Sequence, residues 1–270
     1  MLKNKTFITI IVLSMMLSSC SQFTKVLNKG TTVEQYELAT KLYEDGKYGK
    51  ALQLFEKIVP AYQGKPQMER IQYMMAHSKF ETKLYLESEY YYKRFAKTYP
   101  KSSKREEALY MAALSLYKST PRSSLDQSYS QNAIDAFQKY IDSYPDSDRV
   151  QEANTYINEL QYRLEKKEYD IAYQYYHTSN YKAAIVAFDN FLSDNLGTSF
   201  KEDALYYKSK AAHDLAINSV LDKKEERIND ALKALDRLEY NFSESKYKND
   251  IEKMRTKLND ELELLNKNNI

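Results

Sequence analysis

The fold is decided by five segments: LFEKIVPAYQ (54–63), YYKRFAKTYP (91–100), AFQKYIDSYP (136–145), AFDNFLSDNL (187–196) and ALDRLEYNF (234–242). Each sets a large apolar residue three before another: Phe55 and Ile58, Tyr92 and Phe95, Phe137 and Tyr140, Phe188 and Phe191, Leu235 and Leu238. Four residues before the first of each pair stands a small residue: Ala51, Ser88, Ala133, Ala184 and Ala231. Small residues let neighbouring helices approach, and large ones at i+4 and i+7 fill the groove between them.

Upstream of each segment runs a second helical pattern, centred on Ala39, Ala76, Ala113, Ala172 and, in the fifth unit, Ala211. Twelve residues separate the two small positions in units one, two and four, and twenty in units three and five. The extra residues are the polar loop 118–132, with Pro121, and the charged stretch 219–229, which can extend a helix. Between Pro145 and Ala172 the chain runs 27 residues where earlier units use 13, which predicts one long helix over about 147–177. Ile251, Met254, Leu258, Leu262 and Leu265 mark a closing helix over 247–268, with Ser243 or Ser245 at its N-cap. Helix–turn–helix units at this period resemble the tetratricopeptide repeat. The expected fold is all-α: a superhelix of about five repeats plus a C-terminal capping helix.

Composition agrees. Only five Gly and five Pro occur in 270 residues, too few for the turns of a sandwich or barrel. A content of 43% apolar residues suffices for a core.

Residues 1–20, MLKNKTFITIIVLSMMLSSC, begin with Lys3 and Lys5 and continue through twelve apolar-rich positions, short of a membrane span. They end in Leu17-Ser18-Ser19-Cys20, which resembles the bacterial lipobox, and Cys20 is the chain's one cysteine. The resemblance implies cleavage before Cys20 and acylation of its thiol. Removing 1–19 takes 40 basic against 38 acidic residues to an even balance, which disfavours nucleic acid as a partner. Ser21 follows the Cys, with neither an Asp nor an acidic cluster after it. That favours the periplasmic face of the outer membrane. The expected organisation is a signal peptide 1–19, a lipidated, flexible tether 20–33, an N-terminal half 34–146, a C-terminal half 147–246, and a capping helix and tail 247–270.

Two aromatic columns mark the opening helices. Three residues before the small position stand Tyr36, Tyr73, Tyr110 and Tyr169, and four after it Tyr43, Phe80, Tyr117 and Tyr176. Rings on the concave face suit a peptide-binding groove. The alternative is that they pack between helices of the array. His77 and His177 fall on the same face without a third ligand, which makes no metal signature. No phosphate-binding or hydrolase motif occurs, so neither enzyme chemistry nor a cofactor is expected.

Tyr117, Pro121, Leu125-Asp126-Gln127, Ala133, Phe137, Tyr144-Pro145 and Ser147 resemble the third repeat of the BamD family of outer-membrane protein assembly factors. Arg163-Leu164, Glu168, Ala172, Tyr175-Tyr176, Tyr181 and Ala183-Ala184 resemble its fourth repeat, and YELATKLYEDGKYGKALQLFEKIV (36–59) its first. Asn195-Leu196 and Phe242-Ser243 replace the usual Tyr-Pro endings. The resemblance implies a non-enzymatic scaffold with protein partners: unfolded barrel precursors with an aromatic C-terminal signal, and the barrel-shaped core subunit docked on residues 169–245. Tyr36, Tyr43, Tyr73, Phe80, Tyr110 and Tyr117 are the expected groove, with no small-molecule substrate. Two other readings remain, a scaffold for envelope division or cell-wall synthesis and a glycan-capture lipoprotein. The latter is disfavoured by the absence of Trp.

Overall fold

The computed structural model describes residues 22–268; the signal peptide, Cys20 and the last two residues lie outside the described residues. Helix α1 covers 22–29, followed by α2 (Thr32–Glu44), α3 (Tyr48–Tyr62), α4 (Gln67–Glu81), α5 (Tyr85–Thr98), α6 (Arg105–Ser119) and α7 (Ser128–Ser143). Then come α8 (Val150–His177), α9 (Tyr181–Asp194), α10 (Lys201–Ile217), α11 (Leu221–Asn241) and α12 (Lys248–Asn268). No strand occurs among the described residues. The five repeats are α2/α3, α4/α5, α6/α7, the second half of α8 with α9, and α10/α11, with α12 as the closing helix.

The small residues and the large pairs of the second helices are all buried, none more than 3% exposed. Consecutive helices pack on one another from α2 to α7, and again from α9 to α12. The chain forms two compact units, divided in the middle of α8 between Leu160 and Gln161, with 122–126 grouped in the second. The sequence reading placed this division at 146/147. It falls later because the first turns of α8 serve the first unit: Ala153 and Ile157 join the core of Phe137 and Tyr140, and Leu160 packs with Leu116 and Ala133. Ala172 belongs to the core of the second unit, with Phe188 and Leu235.

Two recurrent turns set the register. Within repeats one, two and four, the opening helix ends on a left-handed residue, Gly46 (φ 71°), Lys83 (φ 63°) or Ser179 (φ 60°). The amides of Gly46 and Lys47 donate to Tyr43 and Leu42 carbonyls, a Schellman closure that Lys83 and Ser179 reproduce. Between repeats, Tyr99, Tyr144, Asn195 and Phe242 end their helices with nearly the same dihedrals, φ −120 to −141° and ψ 62 to 78°. Three residues on, Ser102, Ser147, Thr198 and Ser245 each accept the amide of the second residue after them, at 3.1–3.3 Å. The hydroxyl, rather than Tyr-Pro, is the shared feature. Asn195-Leu196 and Phe242-Ser243 therefore leave the turn unchanged. Ser245, not Ser243, is the hydroxyl at the start of α12.

These turns correct the register of repeat five. α6 and α10 begin equivalently: Glu106 accepts from Ser147 Oγ (2.6 Å), and Glu202 from Ser245 Oγ (2.8 Å). Counting from those ends, the residue matching Ala113 is Ser209, 1% exposed, and not Ala211. The columns then contain Tyr206 and His213.

The stretch expected as a flexible tether is helical over 22–29. Phe23 and Leu27 pack on the first core, and Lys50 lies 5.4 Å from the Phe23 ring centre. The buried Gln35 amide donates to the Val26 and Leu27 carbonyls (3.1 and 3.2 Å), and Lys57 also reaches Leu27. These side chains satisfy carbonyls a helix end leaves open. A Cβ on Gly30 would stand 2.6 Å from the Val26 oxygen, so this close return needs glycine.

Candidate functional site

The first aromatic column turns inward against its own repeat. Tyr36 meets Tyr62 at 5.3 Å, Tyr73 meets Tyr92 and Phe95 at 5.9 and 5.5 Å, and Tyr110 meets Phe137 and Tyr140 at 6.1 and 5.4 Å. Tyr169 meets Phe188 and Phe191 at 5.9 and 6.0 Å. A residue three before the small position shares its side of the helix and faces the closing helix, so ring meets ring. The second column packs across the turn: Tyr43 on Tyr48, Phe80 on Tyr85 and Tyr176 on Tyr181, at 5.4 to 6.1 Å. The Schellman closure brings the residue five further on beneath each ring. Repeat three has the long loop instead, and Tyr117 packs on Tyr156 of α8 at 4.3 Å. Tyr110 is buried and the other seven rings are half-buried. These rings pack between helices first and leave only edges for a ligand.

One pair does line open space. A cleft of about 530 Å³ in the first unit is lined by Tyr43, Arg70, Tyr73, Met74, Phe95 and Lys104. Lys104 sits over the Tyr73 ring at 5.3 Å and pairs with Glu107 at 2.8 Å, and Arg70 pairs with Glu44 at 3.3 Å. Glu69 and Pro66 complete the wall. Burial pushes the Tyr43 hydroxyl up to about 12. It also raises Tyr73, helped by the adjacent Glu107 carboxylate, so both stay protonated donors. The site is an apolar aromatic slot with two cations beside it. Tyr36, Phe80, Tyr110 and Tyr117 do not line this cleft.

His77 lies against Tyr43 and Tyr48, both at 5.4 Å, with Glu81 at 3.7 Å. Burial lowers its pKa. His177 packs on Tyr173 in the second unit. Among the described residues no group of three or more His, Cys, Asp or Glu is placed to hold a metal ion.

The second unit has its own tyrosine cluster, of which the two columns contain only Tyr169 and Tyr176 before the register of repeat five is corrected. Tyr206 and Tyr247 stack at 3.6 Å, and their hydroxyls donate to Asp250 (3.1 Å) and Asp203 (2.6 Å). Tyr207 and Tyr173 meet edge-on at 4.7 Å, and Tyr176 donates to Asp214 at 3.2 Å. Aligning repeat five on the hydroxyl turns would have found Tyr206 in the sequence.

The model of the family described as "YfiO: Outer membrane lipoprotein" matches residues 28–226, and again 164–265. The chain belongs to this YfiO family of outer membrane lipoproteins. The match begins at the end of α1 and takes in the cleft and all five repeats. A curated relative, the putative outer membrane protein assembly factor BamD of Aquifex aeolicus (strain VF5), is 25% identical over 203 residues. That alignment covers 72% of this chain and 64% of the relative, so the chain spans less than two thirds of the relative's length. A solved structure of a putative kinesin light chain from Podosopora anserina, with TPR-like repeats, covers 77% of this chain and 93% of its own at 12% identity and a TM-score of 0.32. No helix among the described residues is long and apolar enough to cross a membrane.

Proposed function

We propose that this YfiO-family chain is a non-enzymatic scaffold of outer-membrane β-barrel assembly, lipidated on Cys20 and facing the periplasm. Its first unit receives unfolded barrel precursors, and residues 169–245 dock the core barrel subunit. The family match and the name of the Aquifex relative support the setting. The cleft of Tyr43, Tyr73 and Phe95 carries the reading of the first unit: it is aromatic, open, and has Arg70 and Lys104 beside it. A chain end with an aromatic side chain and a free carboxylate offers what these groups bind, a ring for the slot and an anion for the cations. Both cations already have carboxylate partners on the surface. Exposed pairs of this kind are worth about 0–1 kcal/mol, so an incoming carboxylate can share them at little cost.

The test is fluorescence anisotropy with a labelled peptide ending in Phe-COO⁻, its C-terminal amide, and a version ending in Ala. The free acid should bind tightest, and Tyr73→Ala should weaken it by about tenfold, the worth of an aromatic pair. Equal affinity for acid, amide and Ala forms would reject the assignment. Acylation is read separately, by mass spectrometry of the mature N-terminus. Cys20→Ala should release the protein from the membrane fraction, and an unmodified serine or leader residue at the N-terminus would refute lipidation.

A further inference from the structure

Two grooves occupy equivalent positions on the side of the closing helices, one in each unit. Each has an opening helix as its floor, flanked by the closing helices of its own repeat and of the repeat before. In the first unit α6 lies between α5 and α7, and in the second α10 lies between α9 and α11. Their volumes are about 820 and 400 Å³. The lining corresponds position by position when the repeats are aligned on Ala133 and Ala231. Tyr129 becomes Arg227, Asn132 becomes Asp230, Asp135 becomes Lys233, and Lys139 becomes Arg237. On the floor helix, aligned instead on the starts of α6 and α10, Ala112 becomes Lys208. The first groove sets Lys93, Arg105 and Lys139 against Glu89 and Asp135, and the second sets four cations, three of them on the closing helix α11, against Asp189 and Asp230.

The second groove has apolar lining from Ile185, Ala212, Leu215 and Ala234, with Lys208 beside it on α10 and Arg227, Lys233 and Arg237 along α11. Two carboxylates stand against these four cations. Asp189 is shared by Lys208 (2.5 Å) and Arg237 (3.9 Å), and Asp230 takes Lys233 (3.3 Å). Arg227 donates to Ser219 Oγ at 2.6 Å rather than to a carboxylate. The excess of positive charge is local, in a chain whose total is close to neutral. On α9, Lys182, Ile185, Val186 and Asp189 follow helical spacing, and Val186 is 59% exposed. Ridges at i, i+3 and i+4 receive the knobs of another helix.

We infer that the groove between α9 and α11 is a docking site for an amphipathic helix of a partner protein, apolar on one face and flanked by Asp and Glu. The apolar stripe lies on Ile185, Leu215 and Ala234, and the acidic flanks meet Arg227, Lys233 and Arg237. This groove lies within residues 169–245, so the inference rests on and deepens the docking reading of the second unit, and it does not depend on the peptide reading of the aromatic cleft.

The experiment uses the full chain and two synthetic 18-residue helices that share one leucine stripe, one flanked by Glu and one by Lys. Binding is followed by anisotropy in moderate salt. The Glu-flanked helix should bind at least tenfold tighter than the Lys-flanked one. Lys233→Glu/Arg237→Glu should cut that affinity at least tenfold, and rising salt should weaken it. Asp135→Lys/Lys139→Glu in the first unit, and Tyr73→Ala in the cleft, should each change it by less than twofold. Equal binding of the two helices, or loss on the first-unit variant, would overturn the inference. So would failure of both helices to bind while phosphatidylglycerol vesicles are captured by the same four cations.

Discussion

Replacing Phe188 by alanine tests the two-core reading most directly. Phe188 is fully buried in α9, faces Tyr169 at 5.9 Å, and belongs to the core that joins Ala172, Leu235 and Leu258. Truncating a buried Phe to Ala costs about 3–5 kcal/mol, from lost transfer energy plus the cavity left behind. A tightly packed repeat core relaxes little, so the upper half of that range is expected. At about 1.4 kcal/mol per decade, opening of α9 should become more frequent by roughly 10³-fold or more. Hydrogen exchange with mass spectrometry reads this peptide by peptide. Amides of α9, α10 and α11 should exchange faster by about three decades. Those of α3 and α4 belong to the separate core of Phe55, Ile58 and Ile71 and should change by less than threefold. Equal acceleration in α3 and α9 would refute the division into two cores. No acceleration in α9 would refute the burial argument itself.

The turns give a paired test. Gly46→Ala forces a Cβ at φ 71° and should destabilise the first unit by about 1 kcal/mol in urea melts, whereas Lys83→Gly relieves the same conformation and should be neutral or slightly stabilising. Ser245→Ala removes the hydroxyl that accepts the Tyr247 amide and donates to Glu202. It should cost about 1–3 kcal/mol and loosen α12, whereas Ser243→Ala, on an exposed residue, should cost less than about 0.5 kcal/mol. His77 has a pKa below its ordinary 6.5, chiefly because it is buried, against the opposing pull of Glu81 and Glu107 and with Lys104 adding to the depression. A depressed histidine contributes stability that is present above 6.5 and lost as pH falls through the lower folded value. Acid should therefore weaken the first unit below pH 6.5, His77→Gln should flatten that limb, and an NMR titration midpoint at or above 6.5 would contradict the burial argument. Gly30→Ala should detach α1, seen as faster proteolysis between residues 22 and 31.

The candidate site was legible in composition more than in geometry. The aromatic columns are visible at fixed offsets from the small residues, and all eight rings sit where that spacing puts them on the opening helices. Spacing could not tell whether a ring's best partner would be a ligand or the next helix. Tyr62, Tyr85, Tyr92 and Tyr156 answered that, because each takes a column ring as its own neighbour. Only Tyr43 and Tyr73 line the cleft, where Arg70 and Lys104 arrive from positions with no motif to mark them. The basic groove was equally hidden, since its cations lie on α10 and α11 at positions that resemble ordinary solvated faces.

The amino-acid sequence alone determined the helical repeat, its small and large core positions, the long α8 and the closing helix. These follow from periodicity, and periodicity is a local property of the chain. Tertiary structure decided the rest. It seated residues 22–29 on the first core, moved the fifth repeat's register from Ala211 to Ser209, and divided the chain within α8. Each depends on which surface a side chain finds across tens of residues, as when Gln35 and Lys57 reach back to the carbonyls ending α1. A helix pattern specifies which face is apolar; only packing specifies what that face meets.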